Sequence, residues 1–154
     1  MWVTLSQRKT SVLAHHNDVS MQEIANSRTV RRTHRNSTYE QTLIKRNRAA
    51  DLETIKEPYD TIKGDRPDVD SEEYNEWYQN YQDAREEYEY QKNQIMEEYD
   101  DMLAMLEEET NDKETELEEE RAQLEAQMEA LAAELEKINE QISADIERTA
   151  VNLS

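Results

Sequence analysis

Glu57-Pro58-Tyr59-Asp60-Thr61-Ile62-Lys63-Gly64-Asp65-Arg66-Pro67-Asp68, residues 57–68, contains the single glycine and both prolines of a 154-residue chain. Proline lacks the amide hydrogen that continues a helix, and glycine frees the backbone, so this composition is typical of a linker or a sharp turn. The segment predicts three parts: residues 1–57, a linker over 58–70, and residues 71–154.

The C-terminal side of this segment is free of glycine and proline from residue 68 to the end. Its apolar residues recur in alternating steps of four and three, a heptad spacing that is typical of long helices packed in a coiled coil. The first series is Tyr74, Tyr78, Tyr81, Arg85, Tyr88, Lys92, Ile95, Tyr99, Met102 and Leu106, with a cationic residue at two of its positions. The second is Leu117, Arg121, Leu124, Met128, Leu131, Leu135, Ile138 and Ile142, with a cationic residue at one.

The two series differ in phase by one residue, and the slip falls in the acidic segment 107–116. One interpretation is a skip in a single helix of about 80 residues. The other is a turn at residues 110–112, since Thr, Asn and Asp are good turn and N-cap residues. Folding the chain about a centre between residues 111 and 112 pairs Leu106 with Leu117 and Tyr88 with Leu135. We therefore predict a hairpin of helices over 71–109 and 114–150, with the continuous helix as the alternative.

The N-terminal part carries weaker helical signals. Leu5, Val12 and Val19 recur every seven residues, which predicts a helix over about 4–26. The polar segment 27–38 lacks an apolar stripe and predicts a loop. Residues 39–57 fit a second helix that ends at Pro58.

Charge is divided unevenly between the two sides. Residues 1–50 hold nine Lys/Arg and three Asp/Glu, a net of +6, whereas residues 51–154 hold nine and 34, a net of −25. The hydrophobic fraction is 35%, below the roughly 45–50% of an average globular chain, so long helices with a thin core are expected. The predicted fold is all-α: a long acidic antiparallel helical hairpin or coiled coil with one or two shorter basic N-terminal helices.

Three groups of residues are candidates for binding a partner. Trp77 and Tyr90 lie off the strict heptad positions, and aromatic residues are enriched at binding hot spots. They would hold either the N-terminal helices or another protein. The acidic run at the predicted hairpin tip would dock a basic partner through Glu107, Glu108, Glu109, Glu118, Glu119 and Glu120. A basic patch consists of Arg28, Arg31, Arg32 and Arg35.

These features favour a non-enzymatic structural or adaptor protein that acts through coiled-coil helix–helix contacts with a protein partner or with further copies of itself. The alternative is a nucleic-acid-associated protein that uses the basic patch, since clustered arginines bind phosphate. Nucleic acid is the less favoured partner because the patch lacks interleaved aromatics.

Catalytic and cofactor chemistry find no support in the residue pattern. There is no cysteine and no Gly-rich phosphate loop, and the three histidines, His15, His16 and His34, lack metal-ligand spacing. We expect no enzyme activity, no cofactor and no metal.

No apolar run reaches the ~18–20 residues of a membrane span. The apolar run at the start of the sequence is too short to be the core of a signal peptide. The absence of a signal peptide favours a cytoplasmic location.

Overall fold

The computed structural model describes residues 2–153, and these form two long helices with no strand among them. Helix α1 spans Trp2–Gly64 (63 residues) and helix α2 spans Glu73–Leu153 (81 residues). The predicted all-α fold is confirmed, and so is the helical hairpin. The shorter N-terminal helix carries 11 Lys/Arg and seven Asp/Glu, a net of +4, and α2 carries six and 26, a net of −20.

The turn of the hairpin is at residues 65–72, where the breaker segment ends. The prediction that Pro58 ends a helix is wrong, because α1 continues through Pro58 to Gly64. Proline inside a helix removes one hydrogen bond and costs about 3 kcal/mol. Aromatic packing on the next residue, Tyr59, offsets this cost. Within the turn, the Ser71 amide and hydroxyl both donate to the Asp68 carbonyl, at 3.0 and 2.7 Å.

The predicted turn at residues 110–112 does not exist, because α2 is one continuous helix there. Leu106 and Leu117 are both buried, with Thr110 and Glu114 half-buried between them. Eleven residues make three turns at about 3.67 residues per turn, close to the 3.6 of an ordinary helix. The phase slip therefore keeps both leucines on one face without a break. The alternative of a skip in a continuous helix is correct.

The predicted loop at residues 27–38 is also helical. Thr29, Thr33 and Ser37, each one turn after the last, are half-buried and occupy the inward positions that apolar residues hold elsewhere in the helix. The Thr29 hydroxyl donates to the Ala25 carbonyl at 3.0 Å, one turn back. The hydroxyls of Ser37 and Thr110 lie 3.1 Å apart between the two helices.

The hairpin consists of two compact units, each built from a stretch of α1 and a stretch of α2. Unit 1 combines α1 up to His34 with α2 from Asp112 onward. Its core is one row of apolar residues per helix, with Val19 and Ile138 almost fully buried at 1% exposure. The buried members are Val12, Val19, Leu124, Leu131 and Ile138, flanked by Met128, Leu135 and Ile142.

Unit 2 comprises residues 35–111 and includes the turn. Apart from buried Leu106, its contact residues are less deeply buried than those of unit 1. Half-buried residues of α1 include Ile44, Leu52, Ile55, Tyr59 and Ile62, and they face half-buried Tyr74, Trp77, Tyr81, Tyr88, Ile95 and Tyr99 of α2. Tyr78 and Met102, predicted as contact residues, are exposed at 44% and 48%.

The predicted pairing of Tyr88 with Leu135 is replaced by antiparallel pairing of α2 with α1. In unit 1, Arg8 meets Glu134 and Asn26 meets Leu117. In unit 2, Arg48 meets Asp100 and Tyr59 meets Tyr88. The basic helix and the acidic helix therefore face each other within one chain.

Candidate interaction surfaces

An aromatic cluster lies next to the turn in unit 2. It stacks one tyrosine of α1, Tyr59, between two of α2, with ring centroids 5.7 Å from Tyr81 and 5.1 Å from Tyr88. Trp77 continues the stack at 5.2 Å from Tyr81. Rings at these separations add to the stability that burial provides. The cluster consists of Tyr59, Tyr74, Trp77, Tyr78, Tyr81 and Tyr88.

Trp77, one of the two predicted aromatic binding residues, contacts the other helix of its own chain. Its indole N–H donates to the Ile62 carbonyl at 2.7 Å. That carbonyl lies in the last turn of α1, where oxygens lack the usual partner four residues on, and it also accepts a bond from the Asp65 amide at 3.3 Å. Trp77 therefore caps α1 from α2, which is the first of its two predicted roles. A contact of Trp77 with another protein stays a prediction.

Two tyrosine hydroxyls in unit 2 bridge the helices and have perturbed acidities. The Tyr59 and Tyr81 hydroxyls are 3.1 Å apart, and this hydrogen bond raises the pKa of Tyr59. The Tyr99 hydroxyl donates to the Asp51 carboxylate, and that bond raises the pKa of Tyr99. In both cases the neutral phenol is the form that the contact favours.

One buried polar residue lies in the apolar row of unit 1. Asn26 is 4% exposed, and its Nδ2 donates to the Leu117 carbonyl at 3.0 Å and to Glu120 Oε2 at 3.3 Å. A buried asparagine in a helix pair favours one register, because its bond to the Glu120 side chain forms only in this alignment. Asn26 is not among the residues predicted from the sequence. The sequence feature that points to its burial is its position seven residues after Val19, where the heptad repeat continues.

The basic patch is fully on the solvent side. All four arginines are exposed, and among residues 2–153 their guanidinium groups form none of the ion pairs found in the chain. Spacing of i, i+3, i+4 and i+7 confines Arg28, Arg31, Arg32 and Arg35 to an arc of about 100° on α1. The first three belong to unit 1, and Arg35 begins the α1 part of unit 2.

The acidic run lies in the middle of α2 and does not form a hairpin tip. All six of its predicted binding residues are exposed, three of them in unit 2 (Glu107, Glu108, Glu109) and three in unit 1 (Glu118, Glu119, Glu120). Glu120 accepts the bond from Asn26 described above. Nearby, Glu114 Oε1 lies 2.8 Å from His34 Nδ1. Docking of a basic partner on this run stays a prediction.

Tyr90 is the second predicted aromatic binding residue and lies outside the aromatic cluster. It is 61% exposed, and its hydroxyl accepts a bond from Gln94 Nε2 at 2.8 Å. Other large apolar side chains share this exposure on the surface of unit 2. They include Tyr39, Val69, Met102 and Met105. Binding of a partner at Tyr90 stays a prediction.

The described surface offers shallow grooves along the helices. One lies on unit 2 and is lined by Leu52, Glu53, Lys56, Glu57, Asp60, Thr61 and Tyr88. Another, on unit 1, is lined by Glu23, Asn26, Ser27, Val30, Arg31, Arg121 and Glu125.

Within residues 2–153 we find no group of three potential metal ligands. Neither helix, over the same residues, has an apolar window suited to crossing a membrane.

Comparison with known proteins yields no match to a protein family model, to a curated protein or to a solved structure.

Proposed function

We propose that this chain is a structural or adaptor protein without enzymatic activity, which acts through coiled-coil contacts between its outer helix faces and the helices of other chains. The observation that carries the proposal is the large surface left after the two helices have packed together. The chain exposes 12074 Å², whereas a compact monomer of 18.3 kDa would expose about 8,100 Å².

The exposed surface carries large apolar side chains on both helices. Scattered apolar residues are normal on a protein surface, whereas contiguous apolar patches are typical of binding sites. Unit 1 exposes Val3, Leu13, Met21, Ile24, Val30, Ile146, Val151 and Leu153. A helix partner would bury such side chains in the same way that α1 and α2 bury their facing rows.

The core of each unit is thin, which also supports completion by another chain. Only one row of each helix is covered, and among residues 3–153 just seven apolar residues are buried. Small cores are marginally stable, and binding of a partner to the folded state adds stability by mass action. Assembly would therefore stabilise the hairpin as well as connect it to its partner.

Sedimentation and thermal unfolding over a roughly hundredfold range of concentration test this proposal, because association makes the melting temperature depend on concentration. We expect both mass and melting temperature to rise. Photo-crosslinking groups at Tyr90 and Met105, compared with one at exposed Asn80 as a polar control, would capture a partner helix for mass spectrometry. A monomer with constant melting temperature and equal labelling at all three positions would contradict the proposal.

Nucleic-acid association is the alternative, and the exposed arginines of the basic patch favour it. Phosphate binding needs clustered cations and weakens steeply with salt. The net charge of −19 opposes it, since long-range repulsion disfavours a polyanion. The test is salt-dependent retention on DNA or RNA that is lost when the four arginines are changed to alanine.

A further inference from the structure

The outer face of α1 in unit 1 combines the apolar and the basic residues in one stripe. Leu13, Met21 and Ile24 are exposed at 39%, 69% and 52%. Arg28, Arg31 and Arg32 follow them along the helix and are exposed as well. At about 100° per residue all six fall within an arc of about 100°. We name this set the α1 stripe.

The α1 stripe points away from the chain's own α2. Val12, Val19 and Asn26 are the buried residues of α1 in unit 1, and helical geometry places them on the opposite side of the helix from the stripe. Arg31, at the edge of the stripe, lines a groove with Glu23 and Glu125, but none of the three arginines forms an ion pair with an acid of the described residues. Their charge is available to a second molecule.

The outer face of α2 in unit 1 has the complementary composition. Asp112 and Glu119 are exposed there, followed by the exposed alanines Ala122, Ala126 and Ala133. These five residues fall within an arc of about 80°. The arc lies opposite the buried row that contains Leu124 and Leu131. We name this set the α2 stripe.

The pairing inside unit 1 places the matching parts of the two stripes at the same level. Asn26 meets Leu117 and Glu120, and His34 meets Glu114, so the stripe arginines lie level with the acids of the α2 stripe. Arg8 meets Glu134, so the apolar part of the α1 stripe lies level with the alanines. Large side chains pack well against small ones across a helix interface.

We infer that the α1 stripe of one molecule binds the α2 stripe of a second copy of the same chain. Two copies side by side in the same orientation bring arginines onto acids and apolar side chains onto alanines without sliding. The helices in contact are again antiparallel, as within the hairpin. Because the two surfaces differ, the contact is heterologous and a pair of copies retains one free stripe of each kind, so a row of copies grows. The inference rests on the proposed function, because both require the outer helix faces to bind another chain.

A second copy fits the α1 stripe better than a nucleic acid does. Three of the six residues of the stripe, Leu13, Met21 and Ile24, are apolar. Apolar side chains form no favourable contact with a phosphate backbone. Repulsion between two chains of charge −19 is screened beyond about 8 Å at physiological salt, whereas contacting pairs are screened less. Direct contacts between the stripes therefore outweigh the net charge.

A charge-exchange experiment tests the inference on the full chain by sedimentation at physiological salt. One variant carries Arg28→Glu and Arg31→Glu, and the other carries Asp112→Arg and Glu119→Arg. Each presents like charges on both stripes, so we expect association of either alone to be at least about tenfold weaker than that of the wild type. An equimolar mixture again has opposite charges in contact, so we expect it to associate like the wild type.

Two further variants separate the stripe contact from other effects. Lys56→Glu with Lys63→Glu makes the same change in net charge as the arginine variant, but in unit 2, and we expect it to leave association within about twofold of wild type. Met21→Ser with Ile24→Ser changes no charge, and we expect it to weaken association by about tenfold or more. Circular dichroism on each variant verifies that it is folded.

The inference is overturned if the wild-type chain is monomeric throughout, or if the mixture of charge variants fails to associate. If the wild type associates and all variants associate equally, the inference fails while the proposed function stands. Retention of a monomeric wild type on immobilised duplex DNA, lost with Arg28→Glu and Arg31→Glu, would overturn it in favour of nucleic acid.

Discussion

At the scale of single residues, polar side chains hold the two helices in one alignment. Asn26 is the one buried polar residue in the described chain, and both of its bonds reach α2. Across unit 2, Tyr99 bonds to Asp51 and the Tyr59 hydroxyl bonds to that of Tyr81. Apolar rows alone tolerate sliding by one heptad, because each apolar residue meets a similar one. Directional bonds do not tolerate it.

Replacement of Asn26 by leucine should raise the stability of the fold and lower its specificity for one helix register. A buried leucine contributes about 1.5–3 kcal/mol by transfer from water, and the lost amide no longer excludes other registers. We expect a higher melting temperature together with a broader distribution of assemblies in sedimentation. Asn36→Leu, at an exposed position of α1, is the control and should change neither. A lower melting temperature for Asn26→Leu would show that the amide bonds outweigh apolar burial.

The raised pKa of Tyr99 predicts a pH-dependent contribution to stability. Because the folded-state pKa exceeds the usual value of about 10, the contribution is complete below that value and is lost as pH rises through the folded pKa. Tyr99→Phe should therefore lower the melting temperature near neutral pH, and the difference from wild type should disappear at strongly alkaline pH. Tyr39→Phe, at an exposed tyrosine, is the control. A difference that persists at high pH would contradict the role of the Asp51 bond.

At the scale of helices, packing overrides two local signals. Pro58 does not end α1, and the acid-rich slip does not end α2. Beside each signal, apolar side chains are covered: Ile55, Tyr59 and Ile62 around Pro58 are half-buried, and Leu106 and Leu117 around the slip are buried. Helix length in proteins depends more on such contacts than on propensity.

Proline substitution distinguishes a continuous α2 from a turn at residues 110–113. Lys113→Pro should lower the free energy of unfolding by about 3 kcal/mol, because proline in a helix interior removes a hydrogen bond and clashes with the preceding turn. Val69→Pro is the matched control, since Val69 follows Asp68 in a turn closed by the Ser71 amide, a position that proline favours. Urea denaturation measures both. Tolerance of proline at residue 113 would indicate a turn there.

At the scale of the whole molecule, the net charges of the two helices do not cancel. Helix α2 carries a net of −20 and α1 only +4. Two ion pairs between Arg or Lys and acids of the other helix are found in residues 2–153, Arg8–Glu134 and Arg48–Asp100, and in each pair at least one partner is more than half exposed. Such solvent-accessible pairs contribute about 1 kcal/mol or less. Repulsion among the remaining acids therefore opposes the folded state.

Added salt should stabilise this protein. Raising the ionic strength from about 0.01 M to about 0.1 M shortens the screening length from about 30 Å to about 10 Å, which reduces repulsion among the acids of α2 more than it weakens the few ion pairs. We expect the melting temperature of dilute protein, followed by circular dichroism, to rise with sodium chloride. A flat or falling melting temperature would mean that ion pairs dominate the electrostatic energy.

The amino-acid sequence by itself determined the all-α class, a helical hairpin as the architecture, and the buried row Leu117, Leu124, Leu131 and Ile138, because heptad spacing repeats over many turns. It folded the hairpin at residues 110–112, whereas the chain turns at residues 65–72. Only the tertiary structure decided where the chain turns, which helix pairs with α2, and that Trp77 caps α1. Heptads carry little information about partner or register, since every apolar row fits every other. The choice depends on contacts between residues far apart in the chain, such as Asn26 with Leu117 and Tyr59 with Tyr88.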